Sequence, residues 1–197
     1  MRKKLRSRIA VGVVIALLTA YLFCLPRDLF KGTSYSTVVT DRNGELLGAR
    51  IASDGQWRFP PSDTVPEKFK TALIEFEDRW FAYHPGVNPV AIARAAAGNI
   101  KAGHVTSGGS TITMQVIRMS RGRERNIGQK IIEAILATRL ELRCSKRDIL
   151  SLYASHAPFG GNVVGLEAAS WRYFGRPPDE LSWGEAATLA VLPNAPA

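Results

Sequence analysis

A mainly α-helical domain with a small β element and one apolar N-terminal helix is the architecture that this sequence predicts. Three observations carry it. Residues 9–25 form an uncharged apolar run. Residues 35–60 hold two β-favouring stretches around an Asn43-Gly44 turn signal. Beyond Pro60-Pro61 the apolar residues recur at helical spacing between recognisable caps. Of 197 residues, 46% are hydrophobic and 22% charged, which supports one ordinary packed core and excludes general disorder.

The first element reads as a membrane anchor. Arg2, Lys3, Lys4, Arg6 and Arg8 precede the run IAVGVVIALLTAYLFCL, and Pro26-Arg27 closes it. As a helix the run spans roughly 25 Å, just short of a ~30 Å hydrocarbon core. The basic stretch before it predicts a cytoplasmic N-terminus and a single pass through an inner membrane, with everything after Arg27 on the periplasmic side. A cleavable signal peptide is the alternative, but the run is long for one and no small-x-small site follows. Phe23 before Cys24 also spoils a lipoprotein-type site. The expected organisation is a basic tail (1–8), an anchor (9–25), a linker with the β element (26–60) and a helical domain (61–197).

The formal charge of +9 comes from 26 Lys and Arg against 17 Asp and Glu. Setting aside the five basic residues of the tail leaves 21 against 17, too small an excess for a nucleic-acid partner. Cys24 and Cys144 lack any CxxC or metal-type spacing and read as unpaired.

The remaining elements follow in order. TVVTDRNGELLGARI is a hairpin signal. Thr64-x-x-Glu67 reads as a capping box opening a helix. Asn88-Pro89 caps VAIARAAAGNI, and Gly108-Gly109-Ser110 precedes TITMQVIRM. Residues 126–144 read as one long helix. Ser145-x-x-Asp148 and Ser182-x-x-Glu185 cap the last two, and Pro193 ends the final one.

Three groups of polar residues are badly placed for solubility alone. On the helix after Pro66 the apolar stripe is Phe69, Ala72, Leu73, Phe76 and Trp80. Asp78 falls opposite it, whereas Glu77 falls between apolar sides, where burial would raise its pKa and suit it to act as a general base; a snorkelling surface Glu is the plainer alternative. On the 126–144 helix, Ile127, Ile131, Ile132, Ile135, Leu136, Leu140 and Leu142 cover most of the circumference and predict burial. Lys130, Glu133 and Glu141 nevertheless share a stripe of roughly 80° with small Ala137 between them, which leaves room for a ligand; a surface Lys–Glu pair is the alternative. Gly108-Gly109-Ser110-Thr111, with free N–H groups at a helix start and Arg118, Arg121, Arg123 and Arg125 following, is a candidate anion site; an ordinary connection is the alternative. His84, His104 and His156 show no metal-type spacing and read as structural or surface residues.

These residues fall in a recognisable order. Glu77-Asp78-Arg79-Trp80-Phe81-x-x-His84-Pro85-Gly86-Val87 resembles the first motif of the peptidoglycan glycosyltransferases, glycosyltransferase family 51. Gly108-Gly109-Ser110-Thr111-Ile112-Thr113-Met114-Gln115 resembles the second, and Lys130-x-x-Glu133 the third. Lys146-Arg147-x-Ile149-Leu150-x-x-Tyr153 resembles the fourth. Tyr173-Phe174-Gly175-Arg176 and Leu181-Ser182-x-x-Glu185-Ala186-Ala187 resemble the fifth. The resemblance covers about residues 35–197. Met114, Ala157-Pro158-Phe159-Gly160-Gly161 and Leu189-Ala190-Val191-Leu192-Pro193 look most like the branch that usually continues into a serine transpeptidase domain. This chain shows neither SxxK nor KTG, so no transpeptidase activity is expected and the glycosyltransferase domain reads as truncated at its end.

The resemblance implies a lysozyme-like fold at a membrane surface, extending a glycan strand from lipid II by inverting transfer and releasing undecaprenyl pyrophosphate. It implies that Glu77 is the general base and that Glu133 organises the donor pyrophosphate with a divalent cation, Mg²⁺. It also implies that Lys130, Arg118 and Arg125 stabilise leaving-group charge, that Ser110, Thr111 and Gln115 hold substrate polar groups, and that Asp78 and Arg79 orient the base or the substrate. The implied partners are lipid II, the growing glycan strand, the membrane and other cell-wall synthesis proteins. Gln129, Asn88, Ser107 and Ser155 depart from the pattern, and Gln129 leaves the pyrophosphate pocket one charge poorer. An inactive lipid II-binding or scaffold remnant and a wall-cleaving hydrolase are the competing functions.

Overall fold

The computed structural model describes residues 2–104, 108–123 and 126–194. Helix α1 (Arg2–Phe23) is followed by an antiparallel hairpin of β1 (Thr37–Thr40) and β2 (Leu46–Arg50). Its turn forms because the Asp41 carboxylate accepts from the Asn43 and Glu45 N–H groups at 2.7 and 2.9 Å, with Gly44 at φ 91°. A second pairing escapes sequence reading: β3 (Trp57–Arg58) runs parallel to β4 (Val163–Val164). Two-residue strands are too short to show any periodicity.

The helical body comprises α2 (Glu67–Glu77), α3 (Pro89–Ala102), α4 (Ile112–Arg121), α5 (Ile127–Glu141), α6 (Lys146–His156), α7 (Leu166–Phe174) and α8 (Trp183–Val191). Asn88 caps α3 by accepting from Ala91 N, and both Ser145/Asp148 and Ser182/Glu185 form reciprocal capping boxes. The expected box at Thr64 does not form. Helix α2 starts after Pro66 with no side-chain cap, and Thr64 bonds to Ser62 instead. Helix α4 is the central element, buried from Ile112 through Ile117 and packed against both α5 and α6, while α2 packs on α8. Phe69, Leu73, Phe81, Leu140, Ile149, Phe159, Leu181 and Leu189 complete the core.

Helix α5 corrects the sequence reading. Leu136 and Leu140 are buried, but Ile131, Ile132, Ile135 and Leu142 are exposed and Ile127 is 82% exposed. The buried face is instead that of Glu133 and Ala137. The apolar excess therefore forms an outer surface, and the acid points inward. The α2 stripe is likewise shorter than expected: Phe69 and Leu73 are buried, whereas Phe76 and Trp80 are exposed, because the helix ends at Glu77.

Helix α1 docks on the end of α5. The Tyr21 and Thr138 hydroxyls are 3.0 Å apart, Arg139 Nε donates to the Leu22 carbonyl at 3.1 Å, and the Arg143 guanidinium donates to the Pro26 carbonyl. The apolar run does not remain one element to its end: helix stops at Phe23, and Leu25 belongs to the core of the domain. At 1.5 Å per residue the helical part, residues 9–23, spans about 22 Å. Among the described residues no helix is long and apolar enough to cross a membrane. The two cysteines are unpaired, as expected.

Candidate active site

The segment after α2 is built as a tight knot, and that knot places Glu77. Asp78 leaves the helix at φ −157°, ψ 70°, so the helical wheel that put it on the solvent side does not apply to it. It is 6% exposed and turns inward. Gly86 N donates to His84 Nδ1 at 3.2 Å, which leaves the ring proton on Nε2, where it is given to both Asp78 oxygens at 3.0 and 2.9 Å. Asp78 Oδ2 also accepts from Ile112 N, the first N–H of α4, at 3.1 Å. The start of this helix is thus occupied by a carboxylate of the protein itself, which corrects the expectation of a free anion site there.

Three further contacts tie the same segment down. The Thr111 hydroxyl donates to the Gly86 carbonyl at 2.6 Å and accepts from Met114 N as the α4 cap. Lys146 Nζ donates to the His84 carbonyl and to Glu141 Oε1, both at 2.8 Å, and lies 4.4 Å from the Phe81 ring centre. Thr113 donates to the same Glu141 oxygen at 2.6 Å. Glu141 is therefore a structural ion-pair partner. Ala137 leaves no space for a ligand either, because its carbonyl abuts Gly86: a Cβ there, at φ +89°, would lie 2.6 Å from that oxygen. Replacing Gly86 by Ala is expected to cost about 1–3 kcal/mol or more, as overpacking does, since the two segments meet backbone to backbone. Chemical denaturation of the purified variant measures this.

With its neighbour locked, Glu77 sits half-buried on the last turn of α2. Gln115, reaching from α4, donates to Glu77 Oε2 at 2.7 Å. Burial raises the Glu77 pKa above the ordinary 4.5, and the negative charge of Asp78 adds to this; the Gln115 hydrogen bond and the Arg118 guanidinium oppose it. A carboxylate so placed is a stronger proton acceptor than a solvated one. It opens onto a cleft of about 360 Å³ lined also by Phe76, Trp80, Arg94, Gly108 and Ser110. Gly109 is buried behind this wall, where a Cβ would meet the Ile92 Cα at 2.7 Å, so only glycine lets the loop approach α3 this closely.

The structure thus brings Glu77, Asp78, Gln115 and Arg118 together and puts Ser110 at the same cleft. Asp78, Thr111 and Gln115, read from sequence as groups that meet substrate, use the side-chain bonds described above to hold the protein. Arg79 lines the cleft but is exposed and paired with Glu75 at 3.0 Å. Glu133 is 5% exposed on the inner face of α5, the helix that packs against α4, and Lys130 is exposed one turn before it. Arg125 lies outside the described residues, as does Ser107. Gln129 accepts from Arg121 at 2.9 Å. Sequence reasoning passed over Tyr153 as a site residue. It is 0% exposed and electrostatically coupled to Glu77, and its place in the fourth motif, one helix away from the second, was the available signal.

Among the described residues no three His, Cys, Asp or Glu side chains converge as a ready metal cage. One inward carboxylate, Glu133, still suits Mg²⁺, which takes one or two carboxylates together with substrate phosphates and water.

The site is thus a half-buried carboxylate held between a helix end and a central helix, beside a cationic side chain and an open cleft. The Transglycosylase family profile matches residues 43–197, and the chain belongs to that family. It is 49% identical over 160 residues to penicillin-binding protein 1C of Escherichia coli strain K12, covering 81% of this chain and 21% of that protein. It is 41% identical over 199 residues to penicillin-binding protein 1A of Aquifex aeolicus strain VF5 (95% and 27%), and 34% identical over 158 residues to penicillin-binding protein 4 of Bacillus subtilis strain 168 (79% and 25%). The chain spans about a fifth to a quarter of the length of these relatives.

Proposed function

We propose that this chain is a peptidoglycan glycosyltransferase that polymerises lipid II. The observation that carries the reading is Glu77: a desolvated carboxylate with a raised pKa, hydrogen-bonded from α4 and open to the cleft. In this reading Glu77 takes the proton of the acceptor sugar hydroxyl as that oxygen attacks the anomeric carbon of the donor from the face opposite its pyrophosphate. The configuration inverts, and undecaprenyl pyrophosphate departs. Burial does two things for this step: it raises the basicity of Glu77 and excludes water that would compete with the sugar.

The leaving pyrophosphate needs positive charge. Arg118, Lys130 and Arg125 supply it, and Glu133 would hold a divalent cation, Mg²⁺, which would add positive charge beside the pyrophosphate. Ser110 and Arg79 meet substrate along the cleft. Asp78, Thr111 and Gln115 act behind it as positioning residues, a role their internal hydrogen bonds support.

The chain is proposed to work at the periplasmic face of an inner membrane, anchored by α1. The exposed Ile127, Ile131 and Ile135 of α5, with Leu142 just beyond it, support this by offering an apolar surface on the helix where α1 docks. Detergent-solubilised protein incubated with lipid II is expected to produce glycan polymer. Binding of lipid II without turnover would instead favour the non-catalytic remnant.

A further inference from the structure

Helix α6 packs against α4 and buries Tyr153 in the protein core. The ring is 0% exposed, and its hydroxyl has no hydrogen-bond partner among the described residues. A buried hydroxyl left unpaired is destabilising, and natural cores rarely tolerate one without a use for it. The Tyr153 pKa is raised first by burial and then by the negative charge of Glu77, with Arg118 opposing. The hydroxyl therefore keeps its proton and stays a donor at any physiological pH. A carboxylate has about four acceptor positions, so the bond from Gln115 to Glu77 does not preclude a second donor.

We propose that Tyr153 is a positioning residue for Glu77: its hydroxyl donates to the ionised carboxylate, directly or through one water, when substrate fills the cleft. This rests on Glu77 being the base. Gln115 from α4 and Tyr153 from α6 then grip the carboxylate from two helices and fix the direction in which it accepts the proton. Donation favours the ionised form, so the pair keeps a desolvated base charged at working pH. Among the described residues, the charged groups that act on Glu77 include Asp78 on its own segment and Arg118 on α4. Glu75, Arg79 and Arg94 line the shared cleft. On α8, which packs against α2, the acid is Glu185, engaged by Ser182 and Arg176.

The test uses Tyr153→Phe, which keeps the buried ring and removes only the hydroxyl, with Glu77→Gln as companion. Two readouts are taken on the full chain: lipid II polymerisation against pH, and direct titration of the Glu77 side-chain carboxyl by ¹³C NMR with lipid II bound. The expected result for Tyr153→Phe is a carboxyl titration and an acid limb both moved up by about one pH unit, with kcat reduced about tenfold, KM unchanged and stability equal to or above that of the parent. A Tyr153→Phe profile and carboxyl titration that coincide with the parent overturn the positioning role even if Glu77→Gln is inactive. Full turnover by Glu77→Gln overturns the base assignment, and the positioning role with it.

Discussion

Glu77→Gln is expected to cut lipid II polymerisation by about 10²–10⁴-fold, the usual cost of losing a general base, while leaving the fold intact. The amide fits the same space and accepts the same bond from Gln115, so the loss is one of proton affinity rather than of shape. The same substitution should stabilise the protein at neutral pH. The folded-state pKa of Glu77 is raised by burial, so its protonated form is favoured in the fold. That stabilisation is fully present below the unfolded value and lost as pH rises through the folded value. Glutamine, which never ionises, escapes the loss. Denaturation at pH 7 should therefore favour the variant, and the gap should close below the unfolded-state value. Activity and stability moving in opposite directions is the signature of a base kept charged at a structural cost.

Asp78→Ala is expected to be strongly damaging to the fold, by about 2–6 kcal/mol, that is about 1–3 kcal/mol for each of the two buried donors it leaves without an acceptor. Asp78 accepts from His84 Nε2 and from the first N–H of α4, and alanine orphans both donors. Asp78→Asn retains one acceptor oxygen and should lose less. The His84 ring orients the Gly86 turn, which abuts α5, so loosening this corner would also free the end of α2 that carries Glu77. Urea denaturation of the two variants measures the difference. Equal stability of the alanine variant and the parent would show that the corner does not hold the site.

Much of the fold is legible in local chemistry. The hairpin, the Asn88 cap and both capping boxes follow from short-range hydrogen bonding that needs no tertiary context. The misread elements are those where tertiary packing overrides the pattern. Helix α5 looks buried because it is apolar nearly all round, yet its isoleucines face outward and its acid inward. The site shows the same division. The wheel selected Glu77, because a helix edge is a local property. It misplaced Asp78 by assuming that the helix continued. It had no access to the Asp78–Ile112 bond or the Gln115–Glu77 bond, since each joins residues more than thirty positions apart.

The pH dependence of the initial rate of lipid II polymerisation, measured in parallel for the parent and Gln115→Ala, tests the central role of Glu77 most directly. Because burial raises the Glu77 pKa and the Gln115 hydrogen bond lowers it, the parent should lose activity below an acid limb lying above the ordinary glutamate value of 4.5, and the variant's limb should lie higher still. An acid limb at the ordinary value, unmoved by the Gln115 substitution, would contradict the assignment of Glu77 as the desolvated base.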